Sequence, residues 1–300
     1  MIEVKVPATT ANLGSGFDSL GLALDLLLVV RAELGDGEGK VCFKGRGALE
    51  MEKDPASNLV IRAMQEVFRK AGEIMPPVDV YIENNIPLGK GLGSSAAAIV
   101  AGLYTANALL KDRLDEKELM KMAVAMEGHA DNVVPAMVGG LTAVMLEEGE
   151  VYYQKLPFPH KLKVIVAVPD FTLPTPKARR VLPSRIDLEE VIGSLQRACF
   201  LLASFSTGDF RFLDKAMNDK VFQEARKKFI PGFDEVVREA KKNGALGVAL
   251  SGAGPSLIAL ADRDEYLIGE KIKEVWGLHG VNSDVFYLKV HERGVTCMNF

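Results

Sequence analysis

The chain has 300 residues, 48% of them hydrophobic, and a formal net charge of −4 at pH 7. A chain of this length can form one large core or two moderate domains, and two domains are expected. The mildly acidic balance and the lack of a long basic run argue against a nucleic-acid partner.

The composition favours neither a zinc site nor insertion into a membrane. The three cysteines and four histidines are scattered without the spacing of a metal or redox motif, which is typical of a reducing cytoplasm. Residues 1–6 alternate like a strand and do not resemble a signal peptide. The longest uncharged run, 94–110, is slightly short for a membrane span and contains Ser, Thr and Asn. We therefore expect a soluble, cytoplasmic protein without a membrane partner.

The first half of the chain predicts strands and helices around one glycine-rich connection. Residues 2–6 form a strand that ends at Pro7, and 8–18 is a turn-rich segment of small polar residues. Residues 54–58, Asp-Pro-Ala-Ser-Asn, cap a helix that runs to about Lys70. The other predicted elements of this half are strands over 20–31, 41–44 and 78–83, helices over 96–110 and 114–127, and a hairpin over 141–155.

The second half predicts a separate α+β domain. Pro157 and Pro159 break the pattern and divide the chain into 1–158 and 159–300. Strands and helices then follow one another as in ferredoxin-like domains. The predicted elements are strands over 164–169, 245–250, 257–261 and 281–290, and helices that begin near 175 and cover 187–204, 220–228, 233–242 and 264–275.

The segment 87–97, here called the glycine loop, connects the strand over 78–83 to the helix over 96–110. Its three alternating glycines can adopt positive φ and present bare N–H groups to a ligand. Its two serines fall where the helix begins, so unpaired N–H groups and the positive end of the helix dipole favour an anion such as phosphate. Its members are Pro87, Leu88, Gly89, Lys90, Gly91, Leu92, Gly93, Ser94, Ser95, Ala96 and Ala97.

Other interpretations of the glycine loop compete with a phosphate site. It can be a tight turn whose serine merely caps the helix. Residues 91–96 also fit the degenerate dinucleotide pattern, but Asp112, about 20 positions on, lies in a charged connection between helices and not at the end of a strand. The Walker pattern does not fit, because Lys90 precedes the last two glycines.

The pattern Pro-x-Gly-x-Gly-Leu-Gly-Ser-Ser-Ala-Ala resembles the central motif of the GHMP small-molecule kinases. Ser-Gly-x-Gly-Pro-Ser at 251–256 resembles the third motif of that superfamily, a turn that lies close to the phosphate loop in the family's fold. The resemblance implies an α+β, two-domain GHMP-kinase fold, with an N-terminal mixed sheet with helices and a C-terminal ferredoxin-like α/β sandwich. It also implies ATP as co-substrate.

The same resemblance implies Mg²⁺, with Ser95 and Glu127 as its ligands. A hydroxyl and one carboxylate suffice, because Mg²⁺ keeps most of its waters. The alternative is that Ser95 caps its helix and Glu127 is a surface acid. Lys90 either places a charge beside the phosphates or is a solvated loop lysine.

Within this superfamily, residues 11–18, Ala-Asn-Leu-Gly-x-Gly-Phe-Asp, resemble the N-terminal motif of the homoserine kinases. The resemblance implies that Asn12 and Asp18 contact the substrate amino acid, and a carboxylate suits an α-ammonium group. Residues 127–140 also resemble the homoserine kinases and place His129 against the same substrate.

Arg179 and Arg226 lie in two further elements that match this branch of the family, and a substrate carboxylate calls for planar bidentate donors. Without the resemblance, both would be interpreted as exposed arginines. The implied reaction is transfer of the γ-phosphoryl group of ATP to the hydroxyl of L-homoserine, a step toward threonine.

Two residues are candidates beside the acceptor hydroxyl. In mevalonate-type kinases an aspartate base lies seven residues before the paired glycines, and counting back from Gly139 reaches Asn132, not Asp131. An amide cannot take the hydroxyl proton, so Asn132 is expected to orient the hydroxyl. Catalysis by Asn132, Lys90 and Glu127 would then depend on positioning and charge stabilisation, with the proton leaving to phosphate or solvent. Asp131 stays open as a base.

Two rival functions remain at this point. Another GHMP enzyme, such as a mevalonate-pathway kinase or the related decarboxylase, would need an acidic residue in place of Asn132. A non-catalytic binding protein on the same fold would be expected to lose the Mg²⁺ ligands, which Ser95 and Glu127 argue against. A homodimer is expected, because soluble metabolic enzymes are often symmetric dimers.

Overall fold

The computed structural model describes residues 1–35, 37–48 and 58–300. Residues 54–57 of the predicted helix cap lie outside this part of the chain. Asn58 caps the helix as predicted, because its side chain accepts a hydrogen bond of 2.9 Å from the N–H of Val60.

The elements follow the predicted order, with three additions, α4, α7 and β11. The strands are β1 (Ile2–Asn12), β2 (Gly16–Leu34), β3 (Val41–Gly45), β4 (Val78–Asn84), β5 (Leu141–Glu147), β6 (Glu150–Leu156), β7 (Lys163–Pro169), β8 (Gly247–Leu250), β9 (Leu257–Ala261), β10 (Ser283–Leu288) and β11 (Thr296–Asn299). The α-helices are α1 (Leu59–Ala71), α2 (Ser94–Leu109), α3 (Glu116–Glu127), α4 (Ala130–Val138), α5 (Thr175–Arg180), α6 (Leu188–Thr207), α7 (Leu213–Ala216), α8 (Phe222–Arg226), α9 (Phe233–Lys242) and α10 (Glu265–Leu278), and a short 3₁₀ helix covers Lys227–Phe229.

In the described residues, the first sheet has seven strands in the order β11-β1-β2-β4-β3, with β5 and β6 joined to β2 as a hairpin. It is mixed, since β3 and β4 are parallel and the other pairs antiparallel. The prediction that the first strand ends at Pro7 is wrong. A register shift between Pro7 and Ala8 accommodates the proline, and β1 continues to Asn12.

The second sheet has four antiparallel strands within the described chain, in the order β10-β7-β9-β8. Helices α9 and α10 cover it and bury Trp276 and Val236 in its core. The ferredoxin-like second unit is therefore confirmed. Strands β1 to β6 precede residue 158 and β7 to β10 follow it, but β11 returns to the first sheet and pairs with β1, as at Val4 and Cys297. A four-residue strand carries too little pattern for the sequence to reveal this return. The domain division at residue 158 stays a prediction.

Helix α2 is the central helix of the first unit. It is buried on nearly all sides and packs against α1 and β1, which explains its run of alanine and leucine. Its first residue is Ser94, two positions earlier than predicted, so both serines of the glycine loop lie inside its first turn. None of the helices described has both the length and the apolar content to cross a bilayer.

Candidate active site

A cleft opens between the two sheets, where the glycine loop, the β1–β2 turn and α4 face the second unit. Clefts in which several polar side chains converge are typical of small-molecule sites. The cleft is lined by Asn12, Asp18, Gly89, Lys90, Gly91, Gly93, Ser94, Ser95, Glu127, His129, Asp131, Asn132, Leu173, Thr175, Arg179, Arg226, Gly252 and Ala253.

Most of the predicted site residues therefore meet in one place, but five members of the glycine loop do not line the cleft. These residues support the loop from the core or lie beside it: Pro87, Leu88, Leu92, Ala96 and Ala97. Leu92, Ala96 and Ala97 are almost fully buried, so they support the loop from the core, and their contact with a nucleotide stays a prediction.

The three alternating glycines adopt the predicted positive φ, at 64° for Gly89, 75° for Gly91 and 66° for Gly93. A Cβ atom on Gly91 would lie 2.1 Å from the carbonyl oxygen of Ser251. The Ser251 hydroxyl also donates a 2.6 Å hydrogen bond to the carbonyl of Gly91. The third motif thus packs directly on the glycine loop, as the resemblance implies.

The start of α2 is arranged for an anion. Its N-cap is Gly93, which has no side chain to occupy the first-turn N–H groups, and Ser94 and Ser95 line the cleft beside them. The interpretation of the loop as a serine-capped turn is therefore wrong. Free N–H groups and the positive helix end favour phosphate here.

Ser95 and Glu127, the two predicted Mg²⁺ ligands, contact each other at the edge of the cleft. The Ser95 hydroxyl donates a 2.6 Å hydrogen bond to Oε2 of Glu127, the last residue of α3. The Glu127 side chain is only 12% exposed, so it is not a surface acid. Burial raises the pKa of Glu127, and the bond from Ser95 opposes the rise. Two hard oxygen donors beside an anion site suit Mg²⁺, which needs few protein ligands when a substrate supplies phosphate oxygens.

Lys90 is half-buried and points along the junction between the two sheets. Its Nζ donates hydrogen bonds of 2.8 Å to the carbonyl of Pro169 and 2.7 Å to that of Phe171. Burial lowers the pKa of Lys90, and Asp170 opposes this effect. The solvated-lysine interpretation is wrong, and two of its three N–H groups are engaged within the protein. Its charge beside the phosphates stays a prediction.

The end of the cleft where the acceptor hydroxyl is predicted to lie is built on α4. The sequence did not predict this short helix, because it holds Pro135 and follows α3 after two residues. His129 is the N-cap of α4, and burial and the charge of Arg179 lower the pKa of this histidine.

Asp131, in the first turn of α4, is only 3% exposed. Burial, reinforced by the charge of Asp18, raises the pKa of Asp131 to about 7. A buried carboxyl group with this pKa is suited to exchange a proton near neutrality.

Asn132 lies one residue further along α4. Its Oδ1 accepts a 2.9 Å hydrogen bond from the hydroxyl of Thr9, and its Nδ2 faces Oδ1 of Asp131 at 3.5 Å. The two candidates beside the acceptor hydroxyl are therefore neighbours in space as well as in sequence.

Two arginines and an aspartate form the charged end of the cleft. Arg179 binds Asp18 through two hydrogen bonds of 2.7 and 3.1 Å. Burial opposes the positive charge of Arg179, but the bond to Asp18 raises its pKa. Arg226 is 3% exposed and donates to the carbonyls of Ala178 and Gly252. Burial and the charge of Arg179 lower the pKa of Arg226. The interpretation of two exposed surface arginines is therefore wrong.

Asn12 shapes this end of the cleft from within the protein. Its Nδ2 donates to the carbonyl of Gly252 at 2.9 Å, and its Oδ1 accepts the N–H of Asp18 at 3.0 Å. Asn12 thus connects the β1–β2 turn to the second unit and holds Asp18 at φ 53°. Direct contact of Asn12 with a substrate stays a prediction.

Sequence reasoning missed three residues that matter to the cleft. Thr9 contacts Asn132, Thr175 lines the wall beside Leu173, and the Phe17 ring lies under both arginines at 5.7 and 5.1 Å. The signal for Phe17 was its place between Gly16 and Asp18. Thr9 gave no signal of its own, because the sequence placed it among the small polar residues of the turn-rich segment 8–18.

Comparisons with known proteins agree with this geometry. Models of the GHMP kinases N terminal domain and the GHMP kinases C terminal match residues 58–140 and 201–277. A homoserine kinase of Carboxydothermus hydrogenoformans is 41% identical over 294 residues, which cover 98% of this chain and 96% of that protein. A homoserine kinase of Aquifex aeolicus is 40% identical, covering 98% and 99%.

Solved structures also match this chain over nearly its whole length. The crystal structure of a homoserine kinase from Cytophaga hutchinsonii matches with a TM-score of 0.88 at 32% identity and covers 99% of this chain and 97% of that one. A mevalonate kinase of L. major in complex with R-mevalonate has a TM-score of 0.72 at 16% identity, a likeness of fold alone.

Proposed function

The chain belongs to the GHMP kinase family, and we propose that it transfers the γ-phosphoryl group of ATP to the side-chain hydroxyl of L-homoserine. The products are O-phospho-L-homoserine and ADP, a step toward threonine. The observation that carries the proposal is one cleft with an anion site at the start of α2 and an Asp–Arg cluster at its other end. Relatives that carry the name homoserine kinase, at about 40% identity over nearly the whole chain, support it.

The nucleotide end of the proposal uses the glycine loop. Backbone N–H groups at the start of α2 hold the phosphates, which need donors fixed in place because phosphoryl transfer depends on positioning and charge stabilisation. Ser95 and Glu127 would hold Mg²⁺, which neutralises charge on the phosphate oxygens. Lys90 keeps the loop against the start of the second unit through its two carbonyl contacts.

The amino-acid end uses opposite charges. Asp18 is matched to the α-ammonium group of the substrate, and Arg179 and Arg226 to its α-carboxylate. Zwitterion recognition of this kind explains why a cleft of modest size holds two arginines, one of them buried. His129 borders the same space and has its pKa lowered, so it serves as a neutral polar contact.

The reacting hydroxyl is assigned to Asn132, with Asp131 as the neighbouring carboxyl group able to accept a proton. A mevalonate-type activity is disfavoured, because the position of that family's aspartate base is an amide here. We extend the proposal to a cytoplasmic homodimer whose two domains divide near residue 158. Light scattering of the purified protein tests the dimer.

The test is acceptor-dependent release of ADP in the presence of Mg²⁺, measured with L-homoserine, mevalonate, galactose and no acceptor. We expect release with homoserine far above the other three, and a phosphate monoester of homoserine in the ³¹P NMR spectrum. Equal release with all acceptors, or a preference for mevalonate, would refute the assignment. ATP binding without turnover would favour the non-catalytic alternative.

A further inference from the structure

Thr9 is a fully buried polar residue on β1, far in sequence from every predicted site residue except those of the β1–β2 turn. Its hydroxyl donates a 2.9 Å hydrogen bond to Oδ1 of Asn132. Its backbone N–H donates a 3.1 Å bond to the carbonyl of Leu92 in the glycine loop. One residue therefore contacts both the acceptor end and the phosphate end of the cleft.

The side chains of Thr9 and Asp131 favour one of the two possible orientations of the Asn132 side-chain amide. With the amide oxygen toward Thr9, the hydroxyl has an acceptor and Nδ2 faces the carboxyl oxygen of Asp131 at 3.5 Å. The reverse orientation would turn the amide oxygen toward that carboxyl oxygen and would leave the hydroxyl hydrogen of Thr9 without its acceptor. An unpaired buried donor and two facing oxygens both cost free energy, so the first orientation is favoured.

Gly93 packs closely against Thr9 and Asn132, which leaves their hydrogen-bonded side chains no room to move apart. A Cβ atom on Gly93 would lie 2.0 Å from the hydroxyl oxygen of Thr9 and 3.2 Å from Oδ1 of Asn132. The N-cap of α2, the threonine hydroxyl and the amide oxygen thus meet at one packed point. Movement of the amide would disturb the anion site, and the reverse also holds.

We propose that Thr9 is a positioning residue that fixes the side-chain amide of Asn132 with its oxygen in the protein and its NH₂ group toward the cleft. This inference rests on the proposed function and deepens it. Asn132 then donates a hydrogen bond to the acceptor oxygen and does not receive its proton. As the bond from the acceptor oxygen to the γ-phosphorus forms and the bond to ADP breaks, the hydroxyl proton leaves to the Asp131 carboxylate or to an oxygen of the transferred group.

The kinetic test compares Thr9→Val, which keeps the shape and removes the hydroxyl, with Thr9→Ser, which keeps the hydroxyl. We expect Thr9→Val to lower kcat roughly tenfold to a hundredfold, the scale of misplaced reacting groups, with KM for ATP within about twofold. Thr9→Ser should restore most of kcat. The matched control is Thr105→Val on α2, which removes another buried hydroxyl that has no hydrogen-bond partner and should leave kcat unchanged.

A double-mutant cycle tests whether Thr9 acts through Asn132. In an Asn132→Ala background, Thr9→Val should cause little further loss, because the amide it positions is already gone. Independent, multiplying losses would overturn the proposal, as would a Thr9→Val enzyme with kcat within about twofold of the unaltered chain.

A spectroscopic readout separates this inference from the proposed function. The side-chain NH₂ signals of Asn132, identified by their loss in Asn132→Ala, should shift in Thr9→Val and stay in place in Thr9→Ser, without any ligand. Unmoved signals in Thr9→Val would overturn the proposal even if that variant were less stable. Failure of the unaltered chain to phosphorylate homoserine would refute the proposed function, and the NMR comparison would still decide the role of Thr9.

Discussion

Replacement of Asp131 by asparagine should make the protein more stable at alkaline pH. The side chain is nearly inaccessible, and its burial beside Asp18 raises the pKa of the carboxyl group from 3.8 to about 7. In the unfolded chain this group loses its proton near pH 4, whereas the folded protein keeps it until about pH 7. The folded state therefore binds the extra proton in this window, and the free energy of unfolding falls as the pH rises through it. Asparagine has the same shape and never carries the charge.

The size of the effect follows from the pKa difference. Each pKa unit corresponds to about 1.4 kcal/mol, so the full shift of about three units is worth about 4 kcal/mol above pH 7. Between about pH 5.5 and pH 7 the stability advantage of Asp131→Asn should grow by about 2 kcal/mol and then level off. Urea unfolding of both proteins without ligand at several pH values measures this difference.

The matched control is Asp262→Asn, which removes the same charge from an exposed side chain and reports the effect of net charge alone. An advantage of Asp131→Asn that is constant with pH, or an asparagine variant that is less stable at pH 8, would refute the reasoning. Turnover of the same variant identifies the proton acceptor. Loss of about a hundredfold or more in kcat indicates general-base catalysis by Asp131, and a small loss indicates transfer of the proton to the phosphoryl group.

Three further substitutions test other parts of the cleft. Glu127→Gln should raise the Mg²⁺ concentration for half-maximal turnover roughly tenfold or more, because a neutral amide replaces an ionised oxygen ligand; an unchanged Mg²⁺ dependence would exclude Glu127 as a ligand. Arg226→Lys should raise KM for homoserine roughly tenfold while KM for ATP stays nearly constant, since lysine cannot present two parallel donors; equal changes in both constants would argue against carboxylate recognition. Lys90→Met should lower the free energy of unfolding by about 1–3 kcal/mol, since the carbonyls of Pro169 and Phe171 lose a charged donor. A stable Lys90→Met variant with a much larger KM for ATP would instead place the ammonium group on the phosphates.

The parts of the molecule that local sequence determines were predicted well. The glycine loop carries its own conformation, because alternating glycines at positive φ between a strand and a helix leave few backbone alternatives. Helices α1, α3 and α9 have amphipathic patterns or cap residues that fix their ends to within two residues. Helix α4 was not predicted, because nine residues with an internal proline give no periodic pattern of their own.

The contacts that complete the cleft join residues far apart in the sequence, and no local pattern records them. Thr9 and Asn132 are separated by 123 positions, Asp18 and Arg179 by 161. Resemblance could name Asp18 and Arg179 as candidates, but it could not show that they bind each other before any substrate arrives. In the same way, only the fold reveals that Lys90 donates to carbonyls of the second unit.

The return of β11 to β1 has a mechanical consequence. The backbone crosses between the two sheets twice, once from β6 to β7 and once from β10 to β11. Two connections constrain the relative movement of the sheets more than a single connection would. The core beneath them is also continuous, because residues of both sheets, such as Val30 and Val166, belong to the same buried cluster. This shared core opposes any separation of the start of α2 from Arg179 on the other side of the cleft.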